Sequence, residues 1–262
     1  MPVYKIEGIV LTKRPFGESD AMLEAFTVTR GLETFVAKGA FRSRRRLVGG
    51  LEPFTRVEFT IYRSRPGKMA IIQDLKVLTS RFELYRDLEV FTRLCDVTMF
   101  LTKTLPPGVP EYEVYDLLEA LLAAVSSGGR AESLILSFYL RVFGAMGWRM
   151  DVGACALCKK MPDHDGVYEI DFSEGRMYCP LCLNGSNSSD PTSRRADPRV
   201  PRSRLTRVQA MGLAALILPP RLKAGIAIDP AVERVLRHLI DRYLLWHTGV
   251  DLQRVPDSLR TV

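Results

Sequence analysis

The sequence of 262 residues predicts an α+β protein in which a small β-barrel is followed by a helical bundle. Two observations support this prediction. Between Met1 and Ser80, short segments rich in Val, Ile, Phe and Thr alternate with turn residues, and after Ser80 apolar residues recur every three or four positions. The composition, 47% hydrophobic and 26% charged, is that of an ordinary globular protein and argues against a disordered or fibrous chain.

Five strands are predicted before Ser80, at 3–13, 21–28, 32–37, 55–63 and 68–78. They are too few for an immunoglobulin-like sandwich, but five strands can close a small barrel that has no exposed edges. A barrel of the OB type is the leading prediction, and a small SH3-like barrel is the alternative.

The helical part is predicted to contain five helices that pack as one bundle, at 82–101, 111–125, 132–146, 205–218 and 231–247. We therefore expect two domains, 1–80 and 81–262. A cysteine-containing insertion at 151–183 interrupts the second domain. Residues from about 184 to 204 are rich in Ser, Asn, Pro and Arg, and we expect them to form a flexible loop.

Positive charge is concentrated in the first domain. Residues 1–80 contain 14 Lys and Arg against 8 Asp and Glu, a net charge of +6 out of +7 for the whole chain. Clustered cations repel one another, and the phosphates of a polyanion relieve that repulsion. The candidate phosphate contacts lie in the loop after the third strand and at the end of the first: Lys38, Arg42, Arg44, Arg45, Arg46, Lys13 and Arg14. The alternative interpretation is a solvated surface loop.

The sequence leaves two interpretations for each of two further features of the charged segments. Phe41 lies among the cations and could stack on a base or anchor the loop in the interior. A looser run from Arg194 to Arg207 either contacts DNA or keeps its loop soluble.

Four of the five cysteines form two Cys-x-x-Cys pairs, Cys155 with Cys158 and Cys179 with Cys182, and the segment 159–178 separates the pairs. This spacing is typical of a zinc site, so we predict one structural Zn²⁺ per chain. Four thiolates fill the coordination shell and leave no position for a reactive water. A redox role for the pairs, or His164 as a substitute ligand, is the alternative.

Three motifs that are typical of enzymes are absent from the sequence, and nothing in it requires an enzymatic function. A P-loop, a dinucleotide-binding glycine motif and a Gly-x-Ser-x-Gly nucleophile elbow are all missing. The chain also has no run of about 18 apolar residues and no N-terminal apolar stretch, so we expect a cytoplasmic protein without a membrane span.

The order of several short segments resembles the bacterial RecO family of recombination mediators. The segments are GESDAML at 17–23, Phe26-Thr27, Gly31, VAKGA at 36–40, the basic run, and GLEPF at 50–54. The turn Gly147-Trp148 before a Cys-x-x-Cys pair is also similar to that family.

This resemblance implies an N-terminal OB fold, a helical domain with a zinc-binding element, and no enzymatic activity. It also implies binding to single- and double-stranded DNA, annealing of complementary strands, and action at the nucleoid. RecR and single-stranded-DNA-binding protein would be the partners in loading the recombinase onto single strands. The acidic C-terminal tail of the latter protein would be received by cations of the last helix, such as Arg234, Arg237 and Arg242.

The sequence is also compatible with a second class of function. The chain could be a zinc-containing interaction adaptor whose basic loops bind acidic proteins, with DNA contact incidental.

Overall fold

The computed structural model describes residues 3–42, 47, 49–65, 67–184, 199–217 and 228–252. The chain divides into two compact units, Met1–Leu122 and Ala123–Val262. Within the described ranges, no helix is long and apolar enough to cross a membrane.

The first unit is built on a closed five-stranded barrel whose strands neighbour one another in the order β1-β2-β3-β5-β4. The strands are β1 (Val3–Phe16), β2 (Asp20–Thr27), β3 (Gly31–Ala37), β4 (Arg56–Tyr62) and β5 (Ala70–Thr79). β3 pairs with β5 in parallel, and the other four neighbouring pairs are antiparallel. This arrangement confirms the predicted OB-type barrel.

Alternating apolar residues form the barrel core. In β4, Val57, Phe59 and Ile61 are completely buried, while the residues between them are partly exposed. Leu47 and Leu51, from the connection between β3 and β4, are also buried in this core. The interior of the barrel is therefore filled by the apolar side chains at every second strand position and by two leucines from the segment that connects β3 to β4.

The first predicted helix is two elements, because Asp87 interrupts it. A 3₁₀ helix spans Phe82–Tyr85, and α1 spans Leu88–Thr104. The Asp87 carboxylate accepts hydrogen bonds from the backbone amides of Glu89 (2.9 Å) and Val90 (3.1 Å). A capping aspartate starts a new helix in this way, and the preceding turn is left as 3₁₀.

The five helices are divided between the two compact units, because α1 and most of α2 (Tyr112–Ser126) belong to the barrel unit. Their aromatic side chains pack on barrel residues. Phe91 of α1 contacts Phe54 with ring centroids 5.7 Å apart, and Tyr115 of α2 contacts Phe26 at 5.5 Å. Helical periodicity predicts which face of a helix is apolar, but not which neighbour covers that face.

The second unit contains three helices that pack against one another, α3 (Ala131–Ala145), α5 (Arg207–Ile217) and α6 (Pro230–Thr248). α3 is buried on nearly all sides, as its apolar sequence predicts. The buried Glu233 of α6 accepts hydrogen bonds from Ser133 and from Arg130 at the start of α3. These bonds satisfy a carboxylate that would otherwise be costly to bury.

The cysteine-containing segment forms a small sheet and a short helix. Its elements are β6 (Val167–Asp171), β7 (Arg176–Tyr178), α4 (Pro180–Asn184) and β8 (Arg202–Thr206), with strand order β7-β6-β8. β8 begins inside the segment that was expected to be a loop up to residue 204. Ser203 and Leu205 alternate with exposed residues in β8, a pattern too short and too polar to be recognised in the sequence. Residues 185–198 lie outside the described part of the chain.

Candidate metal centre and nucleic-acid interface

The first Cys-x-x-Cys pair lies in a tight turn. The amide of Cys155 donates to the carbonyl of Lys160 (2.8 Å), and the amide of Lys159 donates to the carbonyl of Cys155 (2.9 Å). Lys159 has a φ of 61°, which few residues other than glycine adopt. The backbone thus folds back on itself so that the sulfurs of Cys155 and Cys158 face the same point.

The second pair is brought to the first by the β6–β7 hairpin. The amide of Ala156 donates to the carbonyl of Met177 in β7 (2.8 Å), which ties the first turn to the strand that leads into Cys179. The amide of Cys179 donates to the sulfur of Cys155 (3.3 Å). Cys182 follows within α4, one turn later.

The four sulfur atoms lie within 4.8 Å of one another, and those of Cys158 and Cys179 are 3.7 Å apart. A metal at about 2.3 Å from each of four sulfurs would separate them by about 3.8 Å. The four cysteines could therefore hold a metal ion in a closed, tetrahedral site. Cys155 and Cys179 are buried, Cys158 is exposed and Cys182 is intermediate.

Backbone amides favour a thiolate at the most buried ligand. Burial raises the pKa of the Cys155 thiol, but hydrogen bonds from the amides of Cys158, Cys179 and Leu157 lower it more, to about 7. Burial and the other three thiols raise the pKa of Cys182 to about 12. In the described part of the chain His164 is not a member of the cluster; its ring contacts Asp163, with Nε2 3.2 Å from Oδ1.

The basic residues predicted to contact phosphate lie at one end of the barrel. In β2, Met22 is paired with Arg14 of β1 on one side and with Val36 of β3 on the other. The next residue of β2, Ala21, is paired with Ala37, the last residue of β3 before Lys38. The end of β1 and the loop after β3 are therefore neighbours. We call the described cations of this region, Lys13, Arg14, Lys38 and Arg42, the basic rim.

Backbone hydrogen bonds hold the loop after β3 against the β1–β2 turn. Gly39 has a φ of 65°, which reverses the chain, and its amide donates to the Asp20 carboxylate (2.8 Å). The amide of Phe41 donates to the carbonyl of Ser19 (3.1 Å), and that of Arg42 to the carbonyl of Gly39 (3.0 Å). The start of the basic run thus has a defined position.

The side chains of the basic rim differ in their contacts. The Lys13 ammonium forms an ion pair with Glu52 (2.7 Å) and lies 5.8 Å from the centroid of the Phe41 ring. Arg14 is exposed and donates to the sulfur of Met22 (3.0 Å). Lys38 and Arg42 are exposed. Phe41 is 52% exposed, so the interpretation as a buried anchor is wrong.

Arg44, Arg45 and Arg46, the remaining predicted phosphate contacts, lie outside the described residues. Elsewhere on the barrel, several cations are paired with glutamates. The pairs are Lys5 with Glu58 (2.7 Å), Arg56 with Glu7 (2.6 Å) and Arg63 with Glu33 (2.8 Å). Residues 13–20 and 38–42 contain four cations and two carboxylates, and Glu52 neutralises Lys13, so an excess of one positive charge stays among these residues at the rim.

Two of the three arginines predicted to receive a partner's carboxylates are engaged within their own unit. Arg237 pairs with Glu132 (2.6 Å), and Arg242 donates to the Ser203 hydroxyl (3.3 Å). Arg234 is exposed.

Three arginines of the second run are likewise paired. Arg202 and Arg204 pair with Glu169, and Arg207 pairs with Asp165. Arg194 and Arg195 lie outside the described residues.

Two family profiles match the chain along most of its length. The profile described as "Recombination protein O N terminal" matches residues 1–81, and the one described as "Recombination protein O C terminal" matches residues 86–255. The chain belongs to the RecO family. This membership confirms the resemblance seen in the sequence and places the chain among DNA repair and recombination proteins.

Curated relatives agree with the RecO-family assignment over nearly the whole chain. DNA repair protein RecO of Anaeromyxobacter sp. (strain Fw109-5) is 29% identical over 246 residues, which cover 94% of this chain and 91% of the relative. The protein of the same name from Myxococcus xanthus (strain DK1622) is 25% identical over 256 residues, covering 97% and 96%. That from Solidesulfovibrio magneticus is 26% identical over 249 residues, covering 94% and 95%.

Proposed function

We propose that this RecO-family chain is a non-enzymatic recombination mediator that binds single- and double-stranded DNA through its barrel. It anneals complementary strands and helps to load the recombinase onto single strands. The observation that supports this function most directly is the excess of positive charge at one end of the barrel, where the β1–β2 turn and the loop after β3 are joined by hydrogen bonds.

The mechanism depends on contacts to the sugar–phosphate backbone. Guanidinium and ammonium groups at the basic rim replace the counterions that are condensed on DNA, and the released ions drive binding. Such contacts do not occupy the edges of the bases. Two strands held in this way keep their pairing edges free, which annealing requires.

Residues 1–80 act as the DNA-binding domain, and residues 81–262 form the helical region with the cysteine-containing segment; the first part of that region, up to Leu122, belongs to the same compact unit as the barrel. The four cysteines hold one Zn²⁺, whose role is to fix the fold of that element. A shell of four thiolates has no position for a substrate or a reactive water, so the metal takes part in no chemistry.

RecR and single-stranded-DNA-binding protein are the proposed partners, and the protein acts in the cytoplasm at the nucleoid. The acidic tail of single-stranded-DNA-binding protein is expected at α6. Because Arg237 and Arg242 already have partners in their own unit, Arg234 is the cation of this set that we expect to contribute most.

Replacing Arg14 and Arg42 by glutamine tests the DNA-binding function. We expect the affinity for a duplex to fall about tenfold or more at low salt, because two charge-assisted contacts are lost. The slope of log K against log salt should flatten by about 1.8 units for duplex and about 1.4 for single strands. Fluorescence anisotropy with labelled oligonucleotides at several salt concentrations measures both quantities, and a strand-annealing assay follows the activity.

The matched control is the double variant Lys5→Gln/Lys76→Gln, which also removes two positive charges. These two lysines are on β1 and β5, the strands on either side of Glu58 in β4, away from the rim. It should leave the affinity and the slope nearly unchanged. Equal effects of the two variants would mean that the affinity for DNA depends only on the net charge of the protein and not on the position of the cations. Weak binding by the wild type that disappears near physiological salt, with no annealing, would favour the adaptor function instead.

A further inference from the structure

Two phenylalanines are exposed at the basic rim. Phe16 ends β1 and is 43% exposed, and Phe41 lies in the loop after β3 and is 52% exposed. Exposure of two large aromatic rings costs free energy in water. The only sequence signal for Phe16 is its position directly before the Gly17 turn, which does not by itself indicate a binding residue.

The two rings stand on loops that are bonded to each other. Phe16 is aligned with Asp20 across the β1–β2 turn, and the Asp20 carboxylate accepts from the amide of Gly39 (2.8 Å). The amide of Phe41 itself donates to the carbonyl of Ser19 (3.1 Å). Both aromatic residues are thus held at the same end of the barrel.

Each ring has a cation close to it in space or in sequence. The Lys13 ammonium lies 5.8 Å from the centroid of the Phe41 ring, and Arg14 precedes Phe16 by two residues. A flat apolar surface beside a cation matches a nucleotide, which has a flat base beside a phosphate.

We propose that Phe16 and Phe41 form a stacking surface that binds unpaired bases of single-stranded DNA. The inference rests on the proposed DNA-binding function and adds a second component to it, selective for single strands. Bases in a duplex are stacked on their neighbours and do not offer a free face. Stacking uses the face of a base and leaves its pairing edge open, so this contact is compatible with annealing.

Phe82 is a further exposed aromatic residue of the barrel unit. It is 59% exposed, and its ring lies 6.5 Å from that of Tyr85 between centroids. It belongs to the 3₁₀ helix Phe82–Tyr85 and not to the β1–β2 turn or to residues 38–42, which carry Phe16 and Phe41. Phe82 is therefore the control for the loss of an exposed aromatic ring elsewhere on the same unit.

The test compares Phe16→Ala/Phe41→Ala, Phe82→Ala and the wild type, using a 30-nucleotide oligothymidylate and a duplex of the same length. We expect the alanine pair to bind the single strand at least tenfold more weakly and the duplex within twofold of the wild type. The salt slope should stay unchanged for both forms of DNA, because no phosphate contact is lost. Phe82→Ala should behave as the wild type.

A leucine pair, Phe16→Leu/Phe41→Leu, keeps apolar bulk without an aromatic face and should also lose single-strand affinity, whereas Phe16→Tyr/Phe41→Trp should restore it. An equal loss on both forms of DNA, or no loss, overturns the inference. So does unchanged single-strand affinity together with lost binding to single-stranded-DNA-binding protein, which would assign the rings to a protein partner. If the wild type bound no DNA at all, the proposed function itself would fail, a result distinct from these.

Discussion

Replacing Cys158 by serine is expected to release the metal and lower the midpoint of thermal unfolding of the cysteine element by about 10 °C or more. The element has short strands and a five-residue helix, so it can bury little apolar surface by itself. Small elements of this kind depend on a metal or a disulfide for stability.

Cys158 is the informative position because it is exposed, whereas Cys155 is buried. If the cysteines contributed only by packing, Cys155→Ser would destabilise the protein and Cys158→Ser would be almost neutral. If both are metal ligands, the two substitutions should have similar effects. Metal analysis by mass spectrometry, together with differential scanning fluorimetry, separates these cases.

Cys95→Ala is the control for the cysteine variants. Cys95 lies on α1, and burial raises the pKa of its thiol to about 11, which disfavours the thiolate that binds metal. This variant should retain one zinc per chain. A purified wild-type protein with less than one metal per chain and with its four paired cysteines in disulfides would contradict the zinc assignment.

Replacing Gly31 by alanine is expected to lower the free energy of unfolding of the barrel unit by roughly 2–5 kcal/mol. Gly31 begins β3 with a φ of 60°, where an L-residue is strained. A Cβ atom there would lie 1.8 Å from the carbonyl oxygen of Val109, which is a backbone atom and cannot rotate away. The turn around Val109 is itself held by a hydrogen bond from the Gly108 amide to the Leu32 carbonyl (3.0 Å).

Gly17→Ala separates the two causes of this loss. Gly17 has a φ of 70°, but a Cβ added there would meet no atom within 4 Å. This variant should lose roughly 1–2 kcal/mol from backbone strain alone. Urea denaturation of both variants gives the comparison, and equal losses would show that the turn at Val109 moves aside at little cost.

Local patterns explain why the barrel and the cysteine cluster could be predicted. Because side chains alternate between the two faces of a strand, Val57, Phe59 and Ile61 of β4 lie on one face regardless of the tertiary packing. A Cys-x-x-Cys turn brings two sulfurs together within one short turn of the backbone. Local patterns do not predict long-range packing, as with α1 and α2, whose aromatic residues contact Phe54 and Phe26 of the barrel unit.

The sequence by itself determined the five barrel strands, the four sulfur ligands and the excess of positive charge before Ser80, because each depends on residue types at short spacing. The tertiary structure decided which cations are neutralised. Lys5 meets Glu58 across 53 positions of sequence, and strand register alone brings them together. Strand register and backbone hydrogen bonds also bring together the loops that carry Phe16 and Phe41. Closure of the barrel places residues side by side that are far apart in the sequence, and no local pattern predicts such contacts.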